Sequence, residues 1–168
     1  GSPTWDIAST GDNPLHFSFI GTMGQAAPFA LGLAMAQHDK RVVLFAGDGE
    51  LLMSLGILAT IANQAPGNLT IGSLDNESYG ETGGQPTATA GPTDLEAVAK
   101  GCGFSQTCTA ASEKDLDAAC DQVWTAKGPV FINLKIVAGP SPLVFPYSFD
   151  GAAAMNRFRD AVNNPGKS

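Results

Sequence analysis

The chain has 168 residues, of which 43% are hydrophobic and 15% charged, with 20 glycines. That length supplies one domain with a proper core and is short for two, and the composition fits a compact α/β domain with many tight connections. A formal charge of −7 with no Lys/Arg cluster excludes a nucleic-acid binder, which needs a basic stripe.

Residues 1–15 are polar and rich in Pro and Gly and read as an N-terminal loop. Residues 16–20 form a short strand-like run, followed by the turn Gly21-Thr22-Met23-Gly24 and a small-residue helix over 25–37. Pro28 lies in that helix's first turn, where its missing N–H costs little. The alanines and Gly32 make the helix thin enough for another element to pack close to it.

Residues 41–46 are a continuous apolar run, as expected of a strand buried on both faces of a parallel sheet. An apolar helix is predicted over 50–63, then a strand over 69–74 and a long Gly/Pro-rich loop over 76–93. Loops of that length in compact domains usually carry function. A short helix starting at Thr93-Asp94, a strand over 104–109, a helix from Ser112 as N-cap to about 127 and a strand over 130–137 complete the core. Residues 138–168 read as an extended tail with a terminal helix. The element order predicts a doubly wound, mainly parallel α/β sheet of about five to six strands flanked by helices, with the domain proper spanning 16–137.

Cys102, Cys108 and Cys120 have neither CxxC spacing nor a neighbouring His at ligand spacing, which points to reduced thiols in a cytoplasmic protein. No apolar stretch reaches membrane-spanning length, and Asp6, Asp12 and the early prolines are inconsistent with a signal peptide. His16 and His38 carry no mark of catalysis.

The chemistry concentrates at two turns. Gly47-Asp48-Gly49-Glu50 ends the first buried run, and Asp75-Asn76 ends the next, with Asn76 lying 28 residues after Asp48. Strand, acidic Gly turn, helix, strand, Asp-Asn turn brings a carboxylate and a side-chain amide to one edge of a parallel sheet beside a helix N-terminus. A hard divalent cation takes oxygen ligands of this kind, and Asp48, Asn76 and a backbone carbonyl just beyond, together with diphosphate oxygens and water, would complete an octahedron around Mg²⁺. Gly47 and Gly49 permit a sharp turn and close approach of backbone N–H groups to phosphate.

This spacing resembles the pyrophosphate-binding domain of thiamine-diphosphate enzymes, in which GDG is followed 25–30 residues later by Asn-Asn or a variant, here Asp75-Asn76. The run Gly21-Thr22-Met23-Gly24 is similar to the family's G-x-M-G turn, and Met23 stands where the family has the apolar residue that wedges the cofactor into its bent form. The resemblance implies that the Gly21 carbonyl accepts a hydrogen bond from the cofactor's aminopyrimidine and that the Met23 N–H meets its ring nitrogen. It further implies that Gly47, Gly49 and Glu50 help to hold the diphosphate, and that Ser78 supplies the third metal ligand through its carbonyl. Glu81 lies where some decarboxylases of the family place an acidic proton-transfer group. The run from Asn76 to Thr87, containing Tyr79-Gly80-Glu81-Thr82-Gly83-Gly84-Gln85-Pro86-Thr87, resembles that of the small subunits of sulfopyruvate and phosphonopyruvate decarboxylases.

The resemblance thus implies a Mg²⁺- and thiamine-diphosphate-dependent 2-oxo acid decarboxylase subunit. Its active site would be completed by a separate pyrimidine-binding-domain subunit in an α₂β₂-type or larger hetero-oligomer. A carboligase of acetolactate-synthase type and a degenerate, non-catalytic cofactor-binding subunit are the alternatives. A ferredoxin-linked oxidoreductase is disfavoured by the absence of iron–sulfur cysteine spacing.

Overall fold

A computed structural model describes residues 1–139 and 142–164. Seven α-helices are described: α1 (Pro3–Ser9), α2 (Ala26–Ala36), α3 (Asp48–Met53), α4 (Ile57–Gln64), α5 (Leu95–Cys102), α6 (Glu113–Thr125) and α7 (Gly151–Asn163). The strands are β1 (Val42–Gly47), β2 (Leu69–Asp75), β3 (Ser78–Tyr79), β4 (Gln85–Pro86), β5 (Gln106–Ala110) and β6 (Val130–Lys135).

β1, β2, β6 and β5 form a parallel sheet in that order, and β3 and β4 a small antiparallel hairpin. Alternation along β6 divides the core. Phe131 packs with Leu69 and Ile71 of β2, Ala30 and Ala34 of α2, Leu58 and Ile61 of α4 and Leu95 of α5. Val130 and Ile132 pack with Ala119 of α6. The sheet is therefore covered by helices on both faces, as expected of a doubly wound arrangement. At its C-terminal edge the register pairs Gly47 with Leu74 and Asp75 with Lys135, so the ends of three strands meet side by side.

Side-chain caps set several helix starts. Asp94 accepts from the Ala97 N–H, Ser112 from Asp115, and Asp150 from Ala152 and Ala153. Asn68 performs the same service at the other end of α2: its amide donates to the carbonyls of Ala34, Gln37 and Lys40 and fixes the turn into β1.

The structure differs from the sequence expectations in five places. The N-terminal stretch read as loop contains α1, which has Pro3 at its first position, where proline is tolerated. The helix predicted over 50–63 is two helices, because the chain turns at Ser54–Gly56 and the Ser54 N–H falls back on the Leu51 carbonyl. The first of them begins at Asp48, two residues earlier than expected. The run 16–20 is not a strand. Phe17 and Phe19 instead pack on Phe29 of α2, and Phe17 also on Phe158 of α7, which leaves an apolar cavity of about 790 Å³ beside the outer edge of β1. The main sheet accordingly has four strands among the described residues, while the loop 76–93 supplies the two of the hairpin. The expected tail and terminal helix fall partly on residues 140–141 and 165–168, outside the described residues; α7 lies within them.

Candidate functional site

Asp48 is the first residue of α3, one step beyond the end of β1, and is 1% exposed. Among the described residues its side-chain contacts fall on Oδ2, which accepts from Thr87 Oγ1 at 2.5 Å and lies 2.9 Å from Thr89 Oγ1. Among the described residues the other oxygen accepts no hydrogen bond, so it is available to a ligand. Thr87 and Thr89 stand 2.8 Å apart at the end of the hairpin, and Thr89 Oγ1 also lies 2.8 Å from Asp75 Oδ1. Sequence reasoning placed Thr87 in the resembling run without a role and missed Thr89; the signal available was the Thr-x-Thr pair that follows Gln85-Pro86 and closes the Gly-rich loop.

Asn76 leaves the end of β2 with its side-chain oxygen accepting from the Ser78 N–H at 3.0 Å, an Asx turn that orients the amide. Glu77 between them has φ +60, a left-handed conformation that L-residues hold only when their surroundings demand it. Here its carbonyl accepts from the Thr87 N–H at 3.1 Å and its carboxylate pairs with Lys135. In the hairpin Ser78 faces Pro86, which has no N–H to give, while the flanking carbonyls of Glu77 and Tyr79 accept from Thr87 and Gly84. The Ser78 carbonyl is therefore not claimed by a partner-strand N–H opposite it.

Asp75, a variant of the pattern's first Asn, is also 1% exposed. Oδ2 accepts from Asn133 Nδ2 and Lys135 Nζ, each at 3.0 Å, and Oδ1 from Thr89 and the Glu77 N–H. Burial pushes the Asp75 carboxyl up, but the bonds from Asn133, Thr89 and Lys135 outweigh it and hold the group below the ordinary carboxylate range. Lys135 is raised above its ordinary value: desolvation works against its charge, and Glu77 and Asp75 more than offset it. Asn133 and Lys135, both on β6, are further residues the sequence reading did not single out, because their roles depend on register across the sheet.

One cavity of about 90 Å³ gathers most of the predicted site. Met23, Gly47, Asp48, Gly49, Glu50, Asn76, Ser78 and Glu81 all line it, joined by Ser2 and Asp6 of the N-terminal segment, Tyr79 and Ile136. Met23 is 39% exposed, an unpacked apolar side chain at the cavity rather than a core methionine. Gly21 is outside the lining and has φ +79, a left-handed conformation that glycine adopts freely. The Glu50 carboxylate is occupied structurally, accepting from the Ala26 N–H at 3.1 Å and so capping α2; only its backbone is available to a phosphate. Glu81 accepts from Trp5 Nε1 at 3.0 Å and Ser2 Oγ at 3.4 Å, which ties α1 to the hairpin loop. Gln85 bonds Thr82 and supports that loop.

The donors fit a hard cation bound to a phosphorylated group. Asp48, Asn76 and Ser78 offer only oxygen ligands. A Cβ built on Gly47 would meet nothing within 4 Å, so the backbone there lies open to a close-approaching group. No cluster of three or more His, Cys, Asp or Glu suited to a metal occurs among the described residues, so a metal here would need amide and carbonyl oxygens beside the Asp48 carboxylate.

Gly49 is constrained by packing. A Cβ on it would lie 2.5 and 2.7 Å from Cε1 and Cδ1 of Tyr79. Gly49→Ala is expected to destabilise the protein by about 1–3 kcal/mol through overpacking, as measured by denaturant unfolding, with a second change, Tyr79→Leu, recovering most of the loss. Equal stability of the Gly49→Ala variant and the wild type would show that the Tyr79 ring moves aside freely.

Comparison with known proteins accords with this geometry. Residues 6–134 match the family model described as thiamine pyrophosphate enzyme, C-terminal TPP binding domain. The chain is 42% identical over 139 residues to sulfopyruvate decarboxylase subunit beta of Methanothermobacter thermautotrophicus, covering 83% of this chain and 71% of that one. It is 37% identical over 166 residues to phosphonopyruvate decarboxylase of Streptomyces hygroscopicus, covering 98% of this chain but only 41% of the relative's length. Among solved structures, a putative thiamin diphosphate-dependent enzyme from Mycobacterium smegmatis superimposes with a TM-score of 0.60 at 26% identity, over 70% of this chain and 23% of that one. The oxygen-lined cavity at the sheet edge, the paired turns that build it and these relationships together show that the chain belongs to the thiamine pyrophosphate enzyme family, whose C-terminal cofactor-binding domain it carries.

Proposed function

We propose that this chain is the pyrophosphate-binding subunit of a Mg²⁺- and thiamine-diphosphate-dependent 2-oxo acid decarboxylase. The observation that carries the reading is the convergence of Asp48, Asn76 and Ser78 on one cavity with Met23 beside them. In this assignment Asp48 Oδ1, the Asn76 amide oxygen and the Ser78 carbonyl hold the metal, which neutralises the diphosphate. Gly47 and Gly49, with the backbone N–H groups at the start of α3, receive the phosphate oxygens. Met23 supports the cofactor from the side, and Gly21 and Met23 offer backbone groups to its pyrimidine. When bound, thiamine diphosphate supplies the nucleophilic carbon and the electron sink that decarboxylation requires. Glu81, fixed by Trp5, holds or delivers a proton at the rim of the cavity.

A pyrimidine-binding-domain subunit is the partner this assignment calls for, in a hetero-oligomer of α₂β₂ type or larger. The name of the methanogen relative, a subunit beta, supports it. Apolar side chains left at the surface support it too, including Met53 at 57% exposed beside the site and Met35 on the outer side of the thin helix α2. Three free thiols fit a reducing, cytoplasmic setting, and no described helix is long and apolar enough to cross a membrane.

The test is co-expression with the partner chain followed by a panel of 2-oxo acids, including sulfopyruvate and phosphonopyruvate, monitored for CO₂ and aldehyde. Turnover should require both chains, Mg²⁺ and thiamine diphosphate. Full turnover by this chain alone, or without the cofactor, would refute the assignment.

A further inference from the structure

Lys135 closes β6 directly opposite Asp75 in the register of the sheet, and its ammonium serves two carboxylates at once. Nζ lies 3.0 Å from Asp75 Oδ2 and also bonds Glu77 Oε1. Each carboxylate leads to a different part of the cavity. From Asp75 the path runs through Thr89, which touches Asp75 Oδ1 at 2.8 Å and Asp48 Oδ2 at 2.9 Å. From Glu77 it runs through the backbone, because Glu77 is the left-handed residue, φ +60, that sets Asn76 on one side and Ser78 on the other.

Proton and charge counting show why a cation belongs here. Thr87 and Thr89 make four close oxygen contacts with each other, Asp48 and Asp75, yet bring two hydroxyl protons between them. Two of the four contacts are therefore oxygen against oxygen unless further protons or cations enter. Asp48 and Asp75, each 1% exposed, cannot rely on water to screen the repulsion. The Lys135 ammonium and the Asn133 amide satisfy Asp75 from the far side, so the Thr89 hydroxyl and Asp48 keep their places.

We propose that Lys135 is a positioning residue for the metal-diphosphate clamp: one ammonium holds Asp75 and Glu77, and through them both arms of the clamp, Asp48 on one side and Asn76 with Ser78 on the other. The proposal rests on the cofactor reading given above. It also gives Lys135 a task other than meeting an anionic substrate, since its ammonium is already held by two carboxylates.

The test measures thiamine diphosphate affinity by calorimetry at fixed Mg²⁺, and melting temperature, on the full-length protein assembled with its partner. Lys135→Met should weaken binding by about 10–100-fold, the range seen when a group supporting a metal ligand is lost. The double change Asp75→Asn with Lys135→Met removes the ammonium and its buried counter-charge together, leaving an amide that still accepts from Thr89; it should recover the Asp48 arm, and with it at least about threefold of the lost affinity, while the unheld Glu77 arm keeps binding below the wild type. That rescue is what a merely structural lysine would not give. Wild-type affinity in Lys135→Met, even with a lowered melting temperature, overturns the proposal, as does a double variant that binds no better than Lys135→Met. Should Lys135→Met fail to fold, the double variant decides alone: binding weaker than the wild type but clearly tighter than that of Asp48→Ala supports the proposal, and binding equal to the wild type or a loss as deep as that of Asp48→Ala contradicts it. A wild-type assembly that binds no thiamine diphosphate overturns the cofactor reading itself, an outcome distinct from all of these.

Discussion

Asp48→Ala is expected to abolish Mg²⁺-dependent retention of thiamine diphosphate, with a loss of at least about 100-fold in affinity, because removal of a group that merely supports a ligand already costs 10–100-fold. Asp48 is the one carboxylate of the three proposed ligands, so it supplies the anionic part of the metal's coordination, while Asn76 and Ser78 offer neutral oxygens. The fold should survive the change. With the carboxylate gone, Thr87 and Thr89 remain 2.8 Å apart and Thr89 remains beside Asp75, so the hydroxyls keep partners. Calorimetric titration with and without Mg²⁺ reads the effect, and circular dichroism confirms the fold. Retention equal to the wild type would remove Asp48 from the metal site.

Gly128→Ala is expected to be the most damaging single methyl addition for stability, at the opposite end of the sheet from the site. A Cβ there would lie 2.5 Å from the Leu69 carbonyl oxygen, 2.9 Å from that of Pro66 and 3.1 Å from the Leu69 nitrogen. All three are backbone atoms of the turn into β2 and its first residue, so no side chain can rotate away, and the Gly128 N–H is itself tied to the Gly67 carbonyl at 2.8 Å. Overpacking of this kind costs about 3 kcal/mol, the upper end of the usual range. For a chain of this size that lowers the melting temperature by roughly 6–12 °C. Scanning calorimetry measures it; a melting temperature within about 2 °C of the wild type would contradict the packing argument. Because β2 carries Asp75 at its far end, cofactor affinity measured well below the transition should persist. Gly128→Ala and Asp48→Ala thus separate folding from binding.

The sheet was largely legible because its strands are short apolar runs bounded by turns, and the helix start at Thr93-Asp94 and the cap at Ser112 stand where the residue types alone placed them. The misreadings share a cause in tertiary context. The run 16–20 has strand-like composition, yet Phe17 and Phe19 gain more by joining Phe29 and Phe158 in an aromatic cluster. The break at Ser54–Gly56 was masked by uniform apolarity on either side, and α1 by its polar composition.

That Asp48 and Asn76 meet at one cavity was legible because glycine turns and fixed spacing mark them in the chain, and Met23 and Ser78 were placed there by the resemblance. Thr87, Thr89, Asn133 and Lys135 were not legible as part of the site. They reach Asp48 and Asp75 from the hairpin and from the neighbouring strand, at sequence separations of 14 to 60 residues, and no local pattern records such a meeting. Asp75 shows the difference most plainly: in the sequence it is a variant of an Asn, and in the fold it is a buried carboxylate that joins Lys135 to the threonines beneath Asp48.

The most direct test of the central claim, that the Asp48–Asn76 edge of the sheet grips a metal-bound diphosphate, is titration of thiamine diphosphate into the partner-assembled wild-type protein, once with Mg²⁺ and once after its removal by chelation. Saturable binding that weakens by at least about tenfold without the metal is the predicted result; binding of equal strength in both conditions, or none in either, would contradict it.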